Sequence, residues 1–299
     1  MAIALLTPTP LPMTAPRILL KAWNLRARHR LGQNFLADTG VAQRIVARAG
    51  IGTHEAVLEI GPGLGALTIP LARRAKQVRA VEKDTRLINL LKAELLAQGI
   101  TNTEIIPGDF LDLPLNQLTA DDPGPWVVAG NLPYNISSQV LVRLVESRVP
   151  VARALLMFQT ELARRMTAAP GSRQYGRLSA MLQYCCDLST IAHVDATRFF
   201  PRPKVSSQVL EIKFDHTRRL PQEEESHLFR VIKAAFGQRR KTLKNALSAG
   251  NLNLSRDAAA QVLTAAGIQP IRRAETLSAD EFLALNHEIR SYAATMQTG

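Results

Sequence analysis

The sequence predicts an α/β fold: a doubly wound, Rossmann-like parallel sheet followed by a small all-helical domain. Three observations carry this. Short apolar runs of strand length alternate with helix-length segments from residue 57 to residue 214, a glycine-rich turn follows the first run directly, and beyond Phe214 the pattern is helical throughout. Strands separated in this way by helical crossovers pair in parallel.

Val57-Leu58-Glu59-Ile60 is the first buried-strand run, Gly61-Pro62-Gly63-Leu64-Gly65 ends it, and Ala66 to Lys76 has helical spacing. Val78 to Val81 is the second strand, followed by a helix from Asp84 to about Gln98. Glu104-Ile105-Ile106 is the third strand, Trp126 to Ala129 the fourth and Ala154 to Phe158 the fifth, while Gln208 to Phe214 alternates as a late strand. Asp215 to Pro221 reads as a linker, and helices are expected over 222–237, 239–248, 256–267 and 278–294. The expected organisation is a basic, disordered arm over 1–27, a sheet domain over 28–215 and a helical domain over 216–299, within the usual domain range.

Charge narrows the function. Lys and Arg number 37 against 25 Asp and Glu in 299 residues, a net charge of +12, and the sequence pI near 10.3 points to a polyanionic partner. The cations cluster at Arg26, Arg28 and Arg30 and at Arg239, Arg240, Lys241 and Lys244, which suits nucleic acid better than membrane. The longest uncharged stretch, 123–142, carries Pro125, Asn131, Pro133 and Asn135 and reads as strand, turn and helix start. The two cysteines, Cys185 and Cys186, are adjacent and form no unstrained bridge with each other, so a reducing cytosol is the simple expectation. The six histidines lack metal-ligand spacing and no metal is expected. The first 37 residues contain no acid, and prolines at 8, 10, 12 and 16 break any apolar signal core. Organellar transit peptides share that acid-poor, Arg-containing composition, and Met13 is an alternative start.

In an open α/β sheet, ligands bind beyond the carboxyl ends of the strands, near the point where strand order reverses. Gly61, Gly63 and Gly65 after strand one, Glu82 after strand two, Asp109 after strand three and Asn131 after strand four occupy such positions. Glu82, 21 residues beyond Gly61, sits where a carboxylate accepts from ribose hydroxyls. Asp109 is placed to accept from an adenine amino group, and Phe110 to flank that ring. Dehydrogenases bind NAD on the same fold, and a ribose carboxylate does not separate the two ligands. The shortened glycine pattern, with Asp109 and Asn131-Leu132-Pro133-Tyr134, favours S-adenosylmethionine, which needs no pyrophosphate cradle.

That four-residue segment indicates the reaction. An adenine N6 is a poor nucleophile because its lone pair is delocalised into the ring. Acceptors aimed at its two N–H groups favour the rehybridisation that frees the pair. The Asn131 side-chain oxygen can be one acceptor and the Leu132 carbonyl, held by the fixed φ of Pro133, the other, with Tyr134 stacking on the base. The bland alternative is a strand followed by an ordinary Asn-x-Pro turn. At 199–205, two aromatics, two prolines, Arg202 and Lys204 make a rigid, positive platform suited to an unstacked base and its phosphates. Here the alternative is a loop capping the core with Phe199 buried. Arg239, Arg240, Lys241 and Lys244 read as a phosphate-binding run, against the commoner meaning of a solvated helix face.

At these residues the chain resembles the ribosomal RNA adenine dimethyltransferase family, most of all its small-subunit branch. Leu31-Gly32-Gln33-Asn34-Phe35-Leu36, Glu59 to Gly65, Asn131 to Ile136, Tyr175-Gly176-Arg177-Leu178-Ser179, Phe199 to Ser207 and Ala235 to Thr242 carry the resemblance, in order, from about Arg28 to about residue 290. It implies two successive methyl transfers from S-adenosylmethionine, leaving S-adenosylhomocysteine, to N6 of each of two adjacent adenosines in a hairpin loop near the 3′ end of 16S rRNA. It implies that Asn34, Leu36, Gly61, Glu82, Asp109 and Asn131 contact the cofactor or its site, and that Asn131 to Tyr134 form the catalytic loop. Phe199 matches a position where a second aromatic stacks on the target base, with Phe200 beside it able to take the role. The expected partner is small-subunit rRNA in a pre-assembled 30S particle, met by a cytoplasmic monomer with a part in small-subunit biogenesis. The large-subunit methyltransferases that confer macrolide resistance share the glycine turn, the catalytic loop and the Phe-x-Pro-x-Pro segment, whereas Gln238-Arg239-Arg240-Lys241-Thr242 favours the small-subunit branch. Relatives that act as mitochondrial transcription factors offer a non-catalytic alternative, against which Glu82, Asp109 and Asn131 to Tyr134 stand intact.

Overall fold

The computed structural model describes residues 13–120, 122, 124–147, 150–217 and 219–298. Nine strands occur among them: β1 (Phe35–Leu36), β2 (Ala56–Ile60), β3 (Gln77–Glu82), β4 (Thr103–Pro107), β5 (Trp126–Asn131), β6 (Val151–Gln159), β7 (Cys186–Val194), β8 (Phe199–Phe200) and β9 (Ser207–Phe214). Seven form one sheet in the order β4-β3-β2-β5-β6-β9-β7, and β1 pairs antiparallel with β8. The five strands from β4 to β6 are parallel. All five residues of β2 are buried, as a central strand covered on both faces requires, whereas edge strand β4 alternates between exposed and half-buried positions. From β2 the chain winds to one side through β3 and β4, then returns to lay β5 on the other side, so the strand order reverses at β2 and β5. The predicted parallel α/β sheet is therefore present.

At β5 the Trp126 ring is fully buried, its Nε1 donates to the Asp122 carbonyl at 2.9 Å, and the Arg79 guanidinium lies 5.5 Å from the ring centroid. At the other end of the strand, a Cβ on Gly130 would stand 2.7 Å from the Ile60 carbonyl oxygen, so only glycine lets β5 pass β2 this closely.

Two compact units divide the chain: the described residues up to Thr160 with Thr190–Ile212, and Glu161–Ser189 with Lys213 onward. The second unit is largely helical, with α8 (Arg177–Cys185), α9 (Gln222–Gly237), α10 (Leu243–Ser248), α11 (Arg256–Ala265) and α12 (Ala279–Thr298). Here the Tyr184 hydroxyl donates to Glu225 at 3.1 Å and accepts from Leu220 N–H at 2.7 Å, while Arg219 pairs with the same carboxylate at 2.6 Å. A single boundary near residue 215 leaves Glu161–Ser189 on the other side from the helices with which it groups.

Several elements also differ from the sequence reading. β7 was not expected: it is the terminal strand of the sheet, largely exposed or half-exposed, and its apolar residues are interrupted by Asp187, Ser189, Thr190 and His193. The helix expected over 66–76 is only α3 (Thr68–Ala72). The helix expected from 239 begins at Leu243, leaving Arg239, Arg240 and Lys241 in a turn. The arm differs too: residues 1–12 lie outside the described residues, but Pro16–Ala22 is helix α1, with Pro16 at its first turn. Leu19 and Leu20 are buried in a cluster with Phe35, Leu64, Leu87 and Leu90, and each such side chain gives about 1.5–3 kcal/mol on burial, enough to hold a two-turn helix that would not persist alone.

We expect Gly130→Ala to destabilise the protein by about 1–3 kcal/mol, because the new methyl meets backbone that cannot rotate away. Equilibrium urea unfolding checks this, and an unchanged midpoint would show that β2 and β5 separate freely.

Candidate active site

The carboxyl ends of β2 to β5 surround one cavity, and the sequence-predicted residues Gly61, Gly63, Glu82, Asp109, Phe110 and Asn131 all line it. Gly63 has φ 57°, and a Cβ there would press on the Phe35 ring at 3.1 Å. Its N–H donates to Glu82 Oε2 at 3.0 Å, while Asp84 N–H donates to Oε1 at 2.7 Å. Burial pushes the Glu82 carboxyl upward and these backbone donors work against it. Each carboxylate oxygen accepts one of these bonds and keeps further acceptor capacity, which a ligand diol could use.

A second acid was overlooked as a site residue. Glu59, inside β2, is 1% exposed and also lines the cavity. Its Oε2 and the Thr68 hydroxyl are both buried and neither completes a hydrogen bond, while Thr68 stands near enough to favour the charged form of Glu59. Burial pushes the Glu59 carboxyl up to about 8, tempered by Thr68 and reinforced by the negative Glu82. The signal was present in sequence, since an acid inside an otherwise apolar strand is costly without a partner.

Asp109 accepts from Leu111 N–H at 3.0 Å and from the Lys83 ammonium. Burial raises its pKa, but Lys83, the Leu111 N–H and Arg143 outweigh that and hold the carboxyl below its usual range. Phe110 is 3% exposed, and the Arg143 guanidinium lies 5.4 Å from its ring centroid, anchored on the Leu113 carbonyl. Arg143 and Lys83 thus position groups that the sequence did indicate.

The segment 28–36 closes another side of the cavity. Gln33 accepts from Arg28 N–H at 2.7 Å and donates to Asp84 at 2.9 Å. Asp84, fully buried at its side chain, pairs with Arg86 at 2.6 Å and Arg28 at 3.6 Å. Arg86 first, then Gln33 and Arg28, bring its pKa down to about 2. Leu36 is buried, and β1 and β8 pair Leu36 with Phe199 and Phe35 with Phe200. The Asn34 carbonyl accepts from Asn131 Nδ2 at 2.9 Å. That bond fixes the Asn131 amide with its nitrogen engaged and its oxygen available as an acceptor.

Leu132 is buried and Pro133 lines the cavity. The Pro133 carbonyl accepts from Ile136 N–H at 3.1 Å and from the Ser137 hydroxyl at 2.9 Å, tying the turn to the start of helix α6 (Ser137–Glu146). Tyr134 is half-buried, with its hydroxyl 3.0 Å from Ser207 Oγ, and burial raises its pKa. Phe199, expected as a stacking ring, is 4% exposed and packs in the main core with Leu36 and Val41, as the alternative of a loop capping the core has it, and Phe200 is itself half-buried against the Leu19–Leu20 cluster. Pairing of β1 with β8 turns these rings inward. Arg202 and Lys204 are exposed on the following loop. In the second unit, Arg240 and Lys241 are exposed and Lys244 is half-buried, whereas Arg239 pairs with Glu275 at 3.4 Å and donates to the Arg173 carbonyl. Among the described residues no group of three or more His, Cys, Asp and Glu is placed to hold a metal, and no helix is long and apolar enough to cross a membrane.

The cavity matches the chemistry of S-adenosylmethionine: Glu59 presents a buried carboxyl oxygen without a partner, position 61 faces open space where a side chain would intrude, and Glu82 and Asp109 supply carboxylate acceptors in a wall that Phe110 shares. Fold and site together define an S-adenosylmethionine-dependent methyltransferase. The model for the ribosomal RNA adenine dimethylase family matches residues 24–290, and the chain belongs to that family. It is 51% identical, over 93% of this chain and 98% of the relative, to ribosomal RNA small subunit methyltransferase A of Desulforapulum autotrophicum. With the protein of the same name from Geobacter sulfurreducens it shares 45% identity over 87% of this chain and 94% of that one. Among solved structures, a dimethyladenosine transferase from Plasmodium falciparum superposes with a TM-score of 0.74 at 28% identity, covering 87% and 98% of the two chains. The 23S rRNA methyltransferase ErmE gives a TM-score of 0.65 at 26% identity, covering 86% and 100%.

Because the folded state holds Glu59 protonated up to about pH 8 while an exposed glutamate ionises near 4.5, its burial costs stability progressively as pH rises between those values. Glu59→Gln is expected to remove that slope and to leave the ligand-free variant more stable than the parent at pH 8, by up to a few kcal/mol. Urea midpoints at pH 5 and pH 8 read this; parallel pH dependences in the two proteins would show that Glu59 ionises normally.

Proposed function

We propose that the protein transfers methyl groups from S-adenosylmethionine to N6 of two adjacent adenosines in a hairpin loop near the 3′ end of small-subunit rRNA, dimethylating each. The observation that carries this reading is the Asn131 amide, whose nitrogen donates to the Asn34 carbonyl at 2.9 Å and whose oxygen is thereby left to accept. A fixed acceptor at the end of β5 is what an exocyclic amine needs, since a hydrogen bond to its N–H favours the tetrahedral geometry in which the lone pair is free. The cofactor, when bound, supplies a methyl group on a positively charged sulfur.

The chain's own residues do the rest. Glu82 accepts from the ribose hydroxyls and Asp109 from the adenine amino group, with Phe110 against the ring. Gly61 and Gly63 let backbone approach closely, and Asn34 and Leu36 cover the methionine end. Asn131 and the Leu132 carbonyl hold the two protons of the target amine. Tyr134, its hydroxyl tied to Ser207, stacks on the extruded base. No side-chain base is required for the attack, because the amine proton can pass to water after the methyl has arrived. The similarity to small-subunit enzymes at 51% identity, against 26% for ErmE, supports the small-subunit target. The net charge of +12 suits rRNA in a pre-assembled 30S particle, met in the cytoplasm by a monomer.

The deciding experiment transfers labelled methyl to small subunits lacking dimethyladenosine, beside large subunits and protein-free large-subunit rRNA, with nucleoside analysis. Dimethyladenosine in small subunits alone is expected, and label confined to large-subunit RNA would overturn the proposal. Asn131→Ala is expected to lower methyl transfer at least a hundredfold while particle binding persists, comparable to removing one transition-state donor elsewhere. Equal loss of both in a folded variant would count against the role. Arg240→Glu with Lys241→Glu is expected to weaken rRNA binding and to flatten its dependence on salt, because fewer counterions are released. An unchanged slope would leave those two side chains as solvated surface.

A further inference from the structure

Helix α1 and the turn after it carry an arrangement that the methyl-transfer site does not use. From Ala15 to Arg30 one face is committed to the protein: Leu19 and Leu20 are buried, with Leu25 and Ala27 packed beside them. The remaining face combines two exposed apolar side chains with cations. Ile18 is 61% exposed and Trp23 42% exposed, an unusual position for a tryptophan. Around them stand Arg17, Lys21, Arg26 and Arg30, all exposed. No acid occurs before Asp38, and among the described residues none of these four cations has a carboxylate partner. Arg28, by contrast, pairs with Asp84 and fixes the end of the segment. The charge is therefore uncompensated, and the backbone beneath it is anchored. Trp23 caps the helix, its N–H donating to the Leu19 carbonyl at 3.1 Å.

We propose that this face is a second rRNA-docking surface, on which Trp23 stacks against an unpaired base while Arg17, Lys21 and Arg26 engage the flanking phosphates. An aromatic standing among cations is the chemistry of single-stranded nucleic-acid binding, because every base has a π-face and the backbone supplies the anions. Continuity with the site supports this: Arg30 lines the cofactor cavity, so the cations lead along the chain from α1 to the cavity mouth. An RNA strand held on α1 has its phosphates attracted toward the place where the target base must enter. The surface supplies substrate affinity and orientation rather than chemistry. The proposal rests on the rRNA reading above and adds where the substrate is held.

The test compares the full-length parent with Arg17→Glu/Lys21→Glu/Arg26→Glu, with Trp23→Ala and with Trp23→Phe, on small subunits lacking dimethyladenosine, measuring KM, kcat and the salt dependence of binding. Failure of the parent to methylate would sink the rRNA reading itself; every other outcome addresses this surface. The triple variant is expected to raise KM more than tenfold with kcat at saturating subunits unchanged, and to reduce the slope of log affinity against log salt by about two to three, at roughly 0.7–0.9 per phosphate contact. Trp23→Ala is expected to raise KM at least fivefold without changing that slope, with Trp23→Phe restoring most of the loss. Parent-like KM and slope in both the triple variant and Trp23→Ala, with thermal unfolding unchanged, would overturn the assignment. So would a Trp23-dependent association with phosphatidylglycerol vesicles while rRNA binding stays as in the parent.

Discussion

The buried carboxylate of Glu82 is the constraint from which the site is built. One oxygen receives the N–H of Gly63 from the turn after β2, the other the N–H of Asp84 ahead of helix α4 (Thr85–Ala97), so a single side chain fixes the two strand ends flanking the cavity. Hydrogen bonds to a charged acceptor are worth about 1.5–3 kcal/mol each, and removing the acceptor would strand two donors whose own desolvation is costly. From Asp84 the chain of contacts continues through Gln33 to Asn34 and then to the Asn131 amide. Cofactor wall and base acceptor are parts of one hydrogen-bonded frame. The ordering of Asn131 is completed when the protein folds, so less of it remains to be achieved when the substrate arrives.

Charge is divided within the first unit according to ligand. The chain carries +12 overall, yet Glu59, Glu82 and Asp109 all face the cavity. A sulfonium cofactor with an ammonium group is drawn to the acids, while a polyphosphate substrate is drawn to the exposed cations. Burial keeps the two fields from cancelling. Glu82 lies in low-dielectric surroundings where its influence on a bound cation is strong, and solvent screens it from RNA beyond about 8–10 Å at physiological salt. The same burial explains why Glu59 is held largely neutral near pH 7: two carboxylates facing one cavity without a cation cannot both be charged cheaply.

Much of this was legible in the sequence because parallel α/β sheets place ligand groups at a repeated position, the carboxyl end of a strand, and an apolar run marks where each strand ends. Gly61, Glu82, Asp109 and Asn131 were found in that way. What was missed lacks such a marker. β7 is a terminal strand in which polar and apolar residues follow each other irregularly, so its pairing left no alternation to read. Helix α1 is too short and too interrupted by Pro16 and Trp23 to stand out by period, and it persists through contacts of Leu19 and Leu20 with residues more than forty positions away. Asp84 was seen as a helix start, which it is, but its bonds to Gln33 and Arg28 span over fifty residues and leave no local trace. At Phe199 the residue types fit a stacking platform and a core-capping loop equally, and the burial of the ring beside the paired two-residue strands is not visible in the sequence.

The burial of Phe199 bears on how the base is held. That ring is packed in the core with Leu36 and Val41, and the aromatic of the Asn131 turn itself is Tyr134, whose hydroxyl lies 3.0 Å from Ser207 Oγ. Tyr134 follows the Pro133 turn, so its ring and the Asn131 acceptor are held by the same few residues and keep a constant relation to each other. Under the proposed function, a base stacked on one would be presented to the other, with the backbone turn, locked by Ile136 N–H and the Ser137 hydroxyl on the Pro133 carbonyl, coupling the two contacts.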